Sequence, residues 1–467
     1  MTHILSKSTY IKGLQCEKAL YMFKKHPYLR DKLSLEQRAI FKRGTDVGIL
    51  ARELFPGGEN MTPASPTLFS KMHEKTLENM KNPSIKVMYE AIFIHNETLI
   101  MLDILVRDGN KWKAIEVKSS MSISDTYKRD AALQYYVLKG CNIDISDIQL
   151  MYINGNYVRD KELDLSQLFI CESVKEYAEN HLHEIEDKIN HFKDIISKDK
   201  SPYINIGAHC FSPYKCDFHG HCWKKIPDNS FLHISAYDNY SLFTAYNEGI
   251  TNNEDFKRII DPLSLEMQQI DALDQNTYYI NYKKFYELAE KGIENTAFLN
   301  ILVQKTAVPL FEGHKPYQEI MLAFSILNGE DNKTTNWHCL DDISKMHVGI
   351  KILSDELKHY DKVIYFSSQN INHLIYKYNI IDSKDITYRI CNFRDVLIQS
   401  DFFNKKTKYD FSLKTIYEAI FPNEIIPNHD RISYNAMSNN SIEHLLALED
   451  MEEENKYLKK VFLNLRR

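Results

Sequence analysis

Residues 101–118 read Met-Leu-Asp103-Ile-Leu-Val-Arg-Asp108-Gly-Asn-Lys111-Trp-Lys-Ala-Ile-Glu116-Val-Lys118: two apolar, β-branched runs around a Gly-Asn pair suited to a two-residue hairpin turn. With Gly109 and Asn110 as the turn, Asp108 faces Lys111, and counting outward sets Asp103 opposite Glu116. Lys118 then shares the face of Glu116. Directly opposed side chains have Cβ atoms roughly 5 Å apart, so two carboxylates placed there repel. The economical remedy is a hard divalent cation, Mg²⁺ or Mn²⁺, between Asp103 and Glu116. Lys118 would then stabilise developing negative charge or position a water, while Ile104, Ile115 and Val117 supply the apolar other face. The competing reading is an exposed hairpin whose charges form surface pairs.

A helix predicted over Asp125–Lys139 places Asp130 and Gln134 four residues apart on one face, where the glutamine can orient a water or a phosphate. Glu90, on the preceding strand-like run, is a weaker candidate for the same site. Around these elements the periodicity predicts helices over residues 1–55, strands at Ile85–Ile94, Leu99–Val106, Lys111–Val117 and Ile148–Ile153, and one long amphipathic helix from Val174 to about Ile196.

That helix leads into Cys210-Phe-Ser-Pro-Tyr-Lys-Cys216-Asp-Phe-His-Gly-His-Cys222, three of the eight cysteines, spaced by six. Three thiols in so short a loop call for a shared metal or unusual burial. Cys16 is the leading fourth ligand, because Cys141, Cys171, Cys339 and Cys391 sit singly in strand- or helix-like sequence, where a buried free thiol is the ordinary state. With His209, His219 and His221 nearby, zinc and an iron–sulfur centre remain equally open on spacing alone.

At 467 residues the chain exceeds one ordinary hydrophobic core, which predicts at least two domains. A formal charge of −6 argues against a protein that coats nucleic acid by bulk charge, although the first fifty residues are rich in lysine and arginine. There is no apolar leader and no run of about eighteen apolar residues, so the expected setting is cytoplasmic, with no membrane partner.

These motifs resemble the RecB-like branch of the PD-(D/E)XK nucleases, specifically the iron–sulfur exonucleases related to the CRISPR-associated RecB-like exonuclease and to AddB. The resemblance spans about residues 4–224. It implies an α/β, restriction-endonuclease-like domain over 1–224, with catalytic residues on Asp103, Glu116, Lys118 and Gln134. It also implies a [4Fe–4S] cluster on Cys16, Cys210, Cys216 and Cys222. Two departures stand out: Leu138 replaces the tyrosine one turn after Gln134, and Gly48 replaces a metal-binding histidine, which leaves metal binding to Asp103, Glu116, the Val117 carbonyl and water.

Beyond a helical linker over 225–296, residues 297–467 resemble a degenerate RNase H-like, DEDD exonuclease domain. The whole chain is similar to a bacterial family in which such a nuclease domain is fused to a domain of this kind, a likeness carried by the opening Ser6–Lys18 motif together with Leu310-Phe-Glu-Gly-His-Lys-Pro-Tyr-Gln318. Asn300, Leu302 and Asn370 stand where acids are needed, leaving Asp395, and such a domain would bind nucleic acid or a protein partner without cleaving. The implied activity is Mg²⁺- or Mn²⁺-dependent hydrolysis of DNA from single-stranded ends. The alternative is a DNA-end-binding protein whose active sites are idle.

Overall fold

The computed structural model describes residues 4–33, 35–236, 238–289, 294–368, 371–378, 380, 389–424, 426 and 441–466. It is an α/β protein that divides into two compact units, Met1–Lys224 with Lys305–Gln318, and Lys225–Gln304 with Glu319–Arg467. Two consequences differ from the sequence reading. Residues 225–296 belong to the second unit rather than standing apart as a linker, and the segment carrying Leu310–Gln318 belongs to the first.

The first unit is built on a seven-stranded sheet of β1 (Leu5–Ser6), β2 (Glu59–Asn60), β3 (Val87–His95), β4 (Thr98–Asp108), β5 (Lys111–Lys118), β6 (Ile145–Ile153) and β7 (Phe169–Ser173). The order is β2-β3-β4-β5-β6-β7, with β1 pairing in parallel to the start of β4. Gly109, at φ +61°, makes the β4–β5 turn, and Asp108 pairs with Lys111 in the register counted from the sequence. β5 and β6 run parallel and therefore need a crossover, which the helix Asp125–Gly140 provides. Ser124 caps its first turn through the Tyr127 N–H. Every residue from Asp130 to Leu138 is buried in this helix. Gly140 brings its end against β3, where a Cβ would lie 2.0 Å from the His95 ring.

Two apolar layers enclose the sheet. Ile100, Leu102, Leu105, Ala114 and Leu150 pack with the crossover helix and with Tyr10, Ile189 and Phe192. On the other face, Ile104, Ile115 and Met151 pack with Val47 and Ala51 of the helix Leu35–Ala51. Ala307 and Val308, from the segment contributed by the second half of the chain, complete that second layer. The segment is fastened by Arg159, whose guanidinium donates to the carbonyls of Pro309 and Leu310 at 3.0 and 3.2 Å. The long helix expected from Val174 is interrupted at His181, giving helices Lys175–Asn180 and Leu182–Ser197.

The second unit contains β8 (Thr296–Lys305), β9 (Glu319–Asn328), β10 (Thr334–His338), β11 (Lys362–Tyr365) and β12 (Ile390–Asn392), in the order β10-β9-β8-β11-β12. β9 and β10 are antiparallel, and β11 is parallel to both β8 and β12. Residues 225–289 add four helices among those described, between Asn239 and Leu288. No helix among the described residues is long and apolar enough to cross a membrane.

Candidate active site

The apolar alternation of the central strands changes phase at one point. Ile100, Leu102 and Leu105 of β4 face one layer while Ile104 faces the other, so the shift falls at Asp103. The neighbouring strand shifts in step: Met88 and Ala91 share the first layer, Tyr89 the second, and Glu90 between them has φ +52°. A local irregularity of this kind re-aims side chains, and here it lies beside the carboxylates.

The ladder's last recorded β4–β5 pair is Ile104 with Ile115, and its continuation sets Asp103 opposite Glu116. Asp103 Oδ2 accepts the N–H of Val117 at 2.7 Å. Glu116 is 2% exposed, and both its oxygens are engaged. Oε1 accepts from Lys118 Nζ at 2.9 Å and from Lys7 Nζ at 2.5 Å, while Oε2 accepts from Gln134 Nε2 at 2.7 Å. Lys118 also donates to Asp130 Oδ2 at 2.9 Å. The structure thus brings Asp103, Glu116, Val117, Lys118, Asp130 and Gln134 together. Glu90 pairs instead with Arg52.

The electrostatics are those of a crowded, dry site. Burial, then the charge of Glu116, push the Asp103 carboxyl up to about 8, against the pull of Lys7 and the Val117 N–H. Burial also opposes ionisation of Glu116, but Lys118 and Lys7 outweigh it and hold Glu116 below the usual carboxylate range. For Lys118, burial is outweighed by Glu116 and Asp130, so its ammonium stays charged far above neutral pH.

Among the described residues, no group of three or more His, Cys, Asp or Glu side chains is arranged to hold a metal ion. The donor chemistry nevertheless suits a hard cation: two opposed carboxyl groups, with the backbone carbonyl of Val117 next in sequence to Glu116. One atom speaks for an absent donor. Gln134 Oε1 is buried with no hydrogen-bond partner, although the residue is fully enclosed. A buried amide oxygen left bare is costly, and a water entering with a cation would satisfy it.

Lys7 is the residue that sequence reasoning missed. It opens the helix Lys7–Gln15 immediately after β1, and β1 pairs with β4 at Thr98 and Leu99, short of the stretch that β5 covers. Ser6 caps that helix and forms a reciprocal pair with Thr9. This pairing helps carry Lys7 across 109 residues of sequence to Glu116.

The four cysteines Cys16, Cys210, Cys216 and Cys222 line one small cavity of about 20 Å³, together with His209 and His219. Burial, and then Cys16, Cys210 and Cys222, push the Cys216 thiol up to about 11, as expected where thiols converge without a compensating cation. Burial and Cys210 likewise raise Cys16. The donor set, four thiols with His209 and His219 beside them, suits a metal centre. The N-terminal helices are already tied to this loop. Gln15 donates to the carbonyls of His209 and Tyr214 at 2.8 and 2.6 Å, and Lys12 pairs with Asp217 at 2.7 Å. Of the other cysteines, Cys141 and Cys339 fit a thiol donating to a nearby carbonyl, whereas Cys171 is exposed, contrary to expectation. An edge strand leaves its outward face open, which is where Cys171 sits on β7.

In the second unit Asn300 donates to Glu454 at 2.6 Å, and Asp395 accepts from Asn392 at 3.0 Å. Asn370 lies outside the described residues. No protein-family model matches the chain, and no curated protein matches it.

Proposed function

We propose that the chain is a divalent-metal-dependent deoxyribonuclease of the PD-(D/E)XK type, hydrolysing DNA from single-stranded ends. The observation that carries this reading is the buried constellation of Asp103, Glu116, Lys118 and Gln134, with Gln134 Oε1 lacking a partner. An Asp and a Glu-x-Lys on adjacent strands, backed by a glutamine from the following helix, is the arrangement that this chemistry requires.

Asp103, Glu116 and the Val117 carbonyl would hold Mg²⁺ or Mn²⁺, which supplies Lewis acidity and a nucleophile at neutral pH. The chain's own residues do the rest. Lys118, held charged by Glu116 and Asp130, places positive charge where the phosphodiester gains negative charge. Gln134 fixes Glu116 and offers its free oxygen to a water. Asp103 must lose its proton for a cation to bind, because its carboxyl is protonated up to weakly alkaline pH.

The four convergent thiols are proposed to carry a metal centre, a [4Fe–4S] cluster on the resemblance, that holds the N-terminal helices to the loop 208–223. The second unit is proposed as an RNase H-like domain without catalysis. Its strand order, third-second-first-fourth-fifth in chain sequence, supports that topology, while Asn300 and Leu302 leave its central strand without the acids that two cations need. It would serve to bind nucleic acid or a protein partner.

The test is incubation of the full chain with end-labelled single-stranded and duplex DNA in Mn²⁺, Mg²⁺ or EDTA. Release of short products in Mn²⁺ that EDTA stops is expected. Retention of full-length DNA bound to the protein under every condition would favour the DNA-end-binding alternative.

A further inference from the structure

Resting on the carboxylate reading above, we propose that Lys7 is the resident counter-cation of Glu116 and competes with a divalent ion for that carboxylate. Oε1 already accepts from two ammonium groups while Oε2 accepts only from the Gln134 amide, so a cation that engages Oε1 must displace one of the two lysines.

The three donors differ in how firmly they are held. Gln134 is wholly enclosed on a helix buried from Asp130 to Leu138, so it has nowhere to turn. Lys118 is anchored twice, on Glu116 and on Asp130, with its ammonium over the Tyr127 ring at 4.8 Å. Lys7 holds Glu116 alone among the described residues, and its side chain is 28% exposed. Its backbone is the reverse of mobile: the N–H groups of Ile4 and Leu5 both donate to the Glu97 carbonyl, and Ser6 and Thr9 close the cap. A fixed backbone with a four-carbon arm that can swing to solvent is the geometry of a charge that yields in place. Lys7 offsets the charge of Glu116 while no divalent ion is bound, and it raises the ion concentration at which the site fills.

The experiment is a titration of Mn²⁺ alone into the full chain, with free Mn²⁺ followed by electron paramagnetic resonance. It compares the unmodified protein with Lys7→Met, Lys7→Gln, Lys7→Arg and Asp103→Ala. Removing the competing charge is expected to tighten the Asp103-dependent site by about tenfold or more, the scale on which groups around metal ligands act. Lys7→Arg, which keeps the charge, should stay close to the unmodified protein. Either neutral variant, folded by circular dichroism, binding Mn²⁺ no tighter than the unmodified protein while Asp103→Ala loses the site would overturn the role of Lys7 and leave the carboxylate reading standing. Absence of any Mn²⁺ site that Asp103→Ala removes would overturn both.

Discussion

Gln134 gives an amide hydrogen to Glu116 Oε2 at 2.7 Å while its own Oε1, in the same enclosed pocket, bonds to nothing. The side chain is therefore held by one end and unsatisfied at the other. Gln134→Leu should keep the volume and remove both roles, lowering Mn²⁺ affinity by about 10–100-fold. Isothermal titration with Mn²⁺ checks this, and an unchanged affinity would show that the amide only fills space.

The raised Asp103 carboxyl makes metal binding depend on pH. Its folded value, about 8, lies above the ordinary 3.8, so the extra proton stabilises the metal-free fold fully below pH 4, and that contribution is lost as pH rises through 8. A divalent ion must expel the same proton. Affinity for Mn²⁺ should accordingly rise by up to about tenfold per pH unit between pH 6 and 8 and then level off. Asp103→Asn should flatten the stability profile and raise the metal-free stability at pH 8. Urea unfolding at several pH values reads both effects.

The hairpin was legible because a Gly-Asn turn and a period of two fix its register, and both survive in the ladder from Asp108–Lys111 inward. Asp130 and Gln134 were legible because helical spacing alone puts them on one face. Glu90 was less so, since its own φ of +52° breaks the alternation: its carboxylate pairs with Arg52 while staying within electrostatic reach of Asp103 and Glu116. Lys7 lay hidden because its role depends on a two-residue strand pairing with Thr98 and Leu99, which no periodicity announces. The segment Lys305–Gln318 was assigned with the residues that precede it in sequence, whereas its apolar residues are buried against Ile104 and Ile115.

That segment should matter to the first unit. Arg159→Ala removes two charge-assisted hydrogen bonds to the carbonyls of Pro309 and Leu310, and the expected loss is about 1–3 kcal/mol. Tyr317, whose hydroxyl donates to the carbonyl of Ser119 next to Lys118, should respond to Tyr317→Phe with a smaller loss of stability and lower nuclease activity. Denaturant midpoints and initial rates on labelled DNA separate the two effects. No change in either variant would mean that the segment is a passive cover.

For the thiols, protein purified without oxygen should be brown and carry about four irons per chain. Because Cys16 and the loop 210–222 share one cavity, Cys16→Ser should lower metal content as much as Cys216→Ser. One zinc and no iron in colourless protein would replace the cluster with a tetrahedral zinc site.

The central claim is that Asp103 and Glu116 work together as a cation-dependent hydrolytic pair. Its most direct measurement is the Mn²⁺-supported release of nucleotides from end-labelled single-stranded DNA by the unmodified chain, Asp103→Ala and Glu116→Gln, purified identically and without oxygen. The account predicts hydrolysis by the unmodified chain alone, reduced at least a hundredfold in either variant while both remain folded. Equal hydrolysis in all three preparations, or none in any, would contradict it.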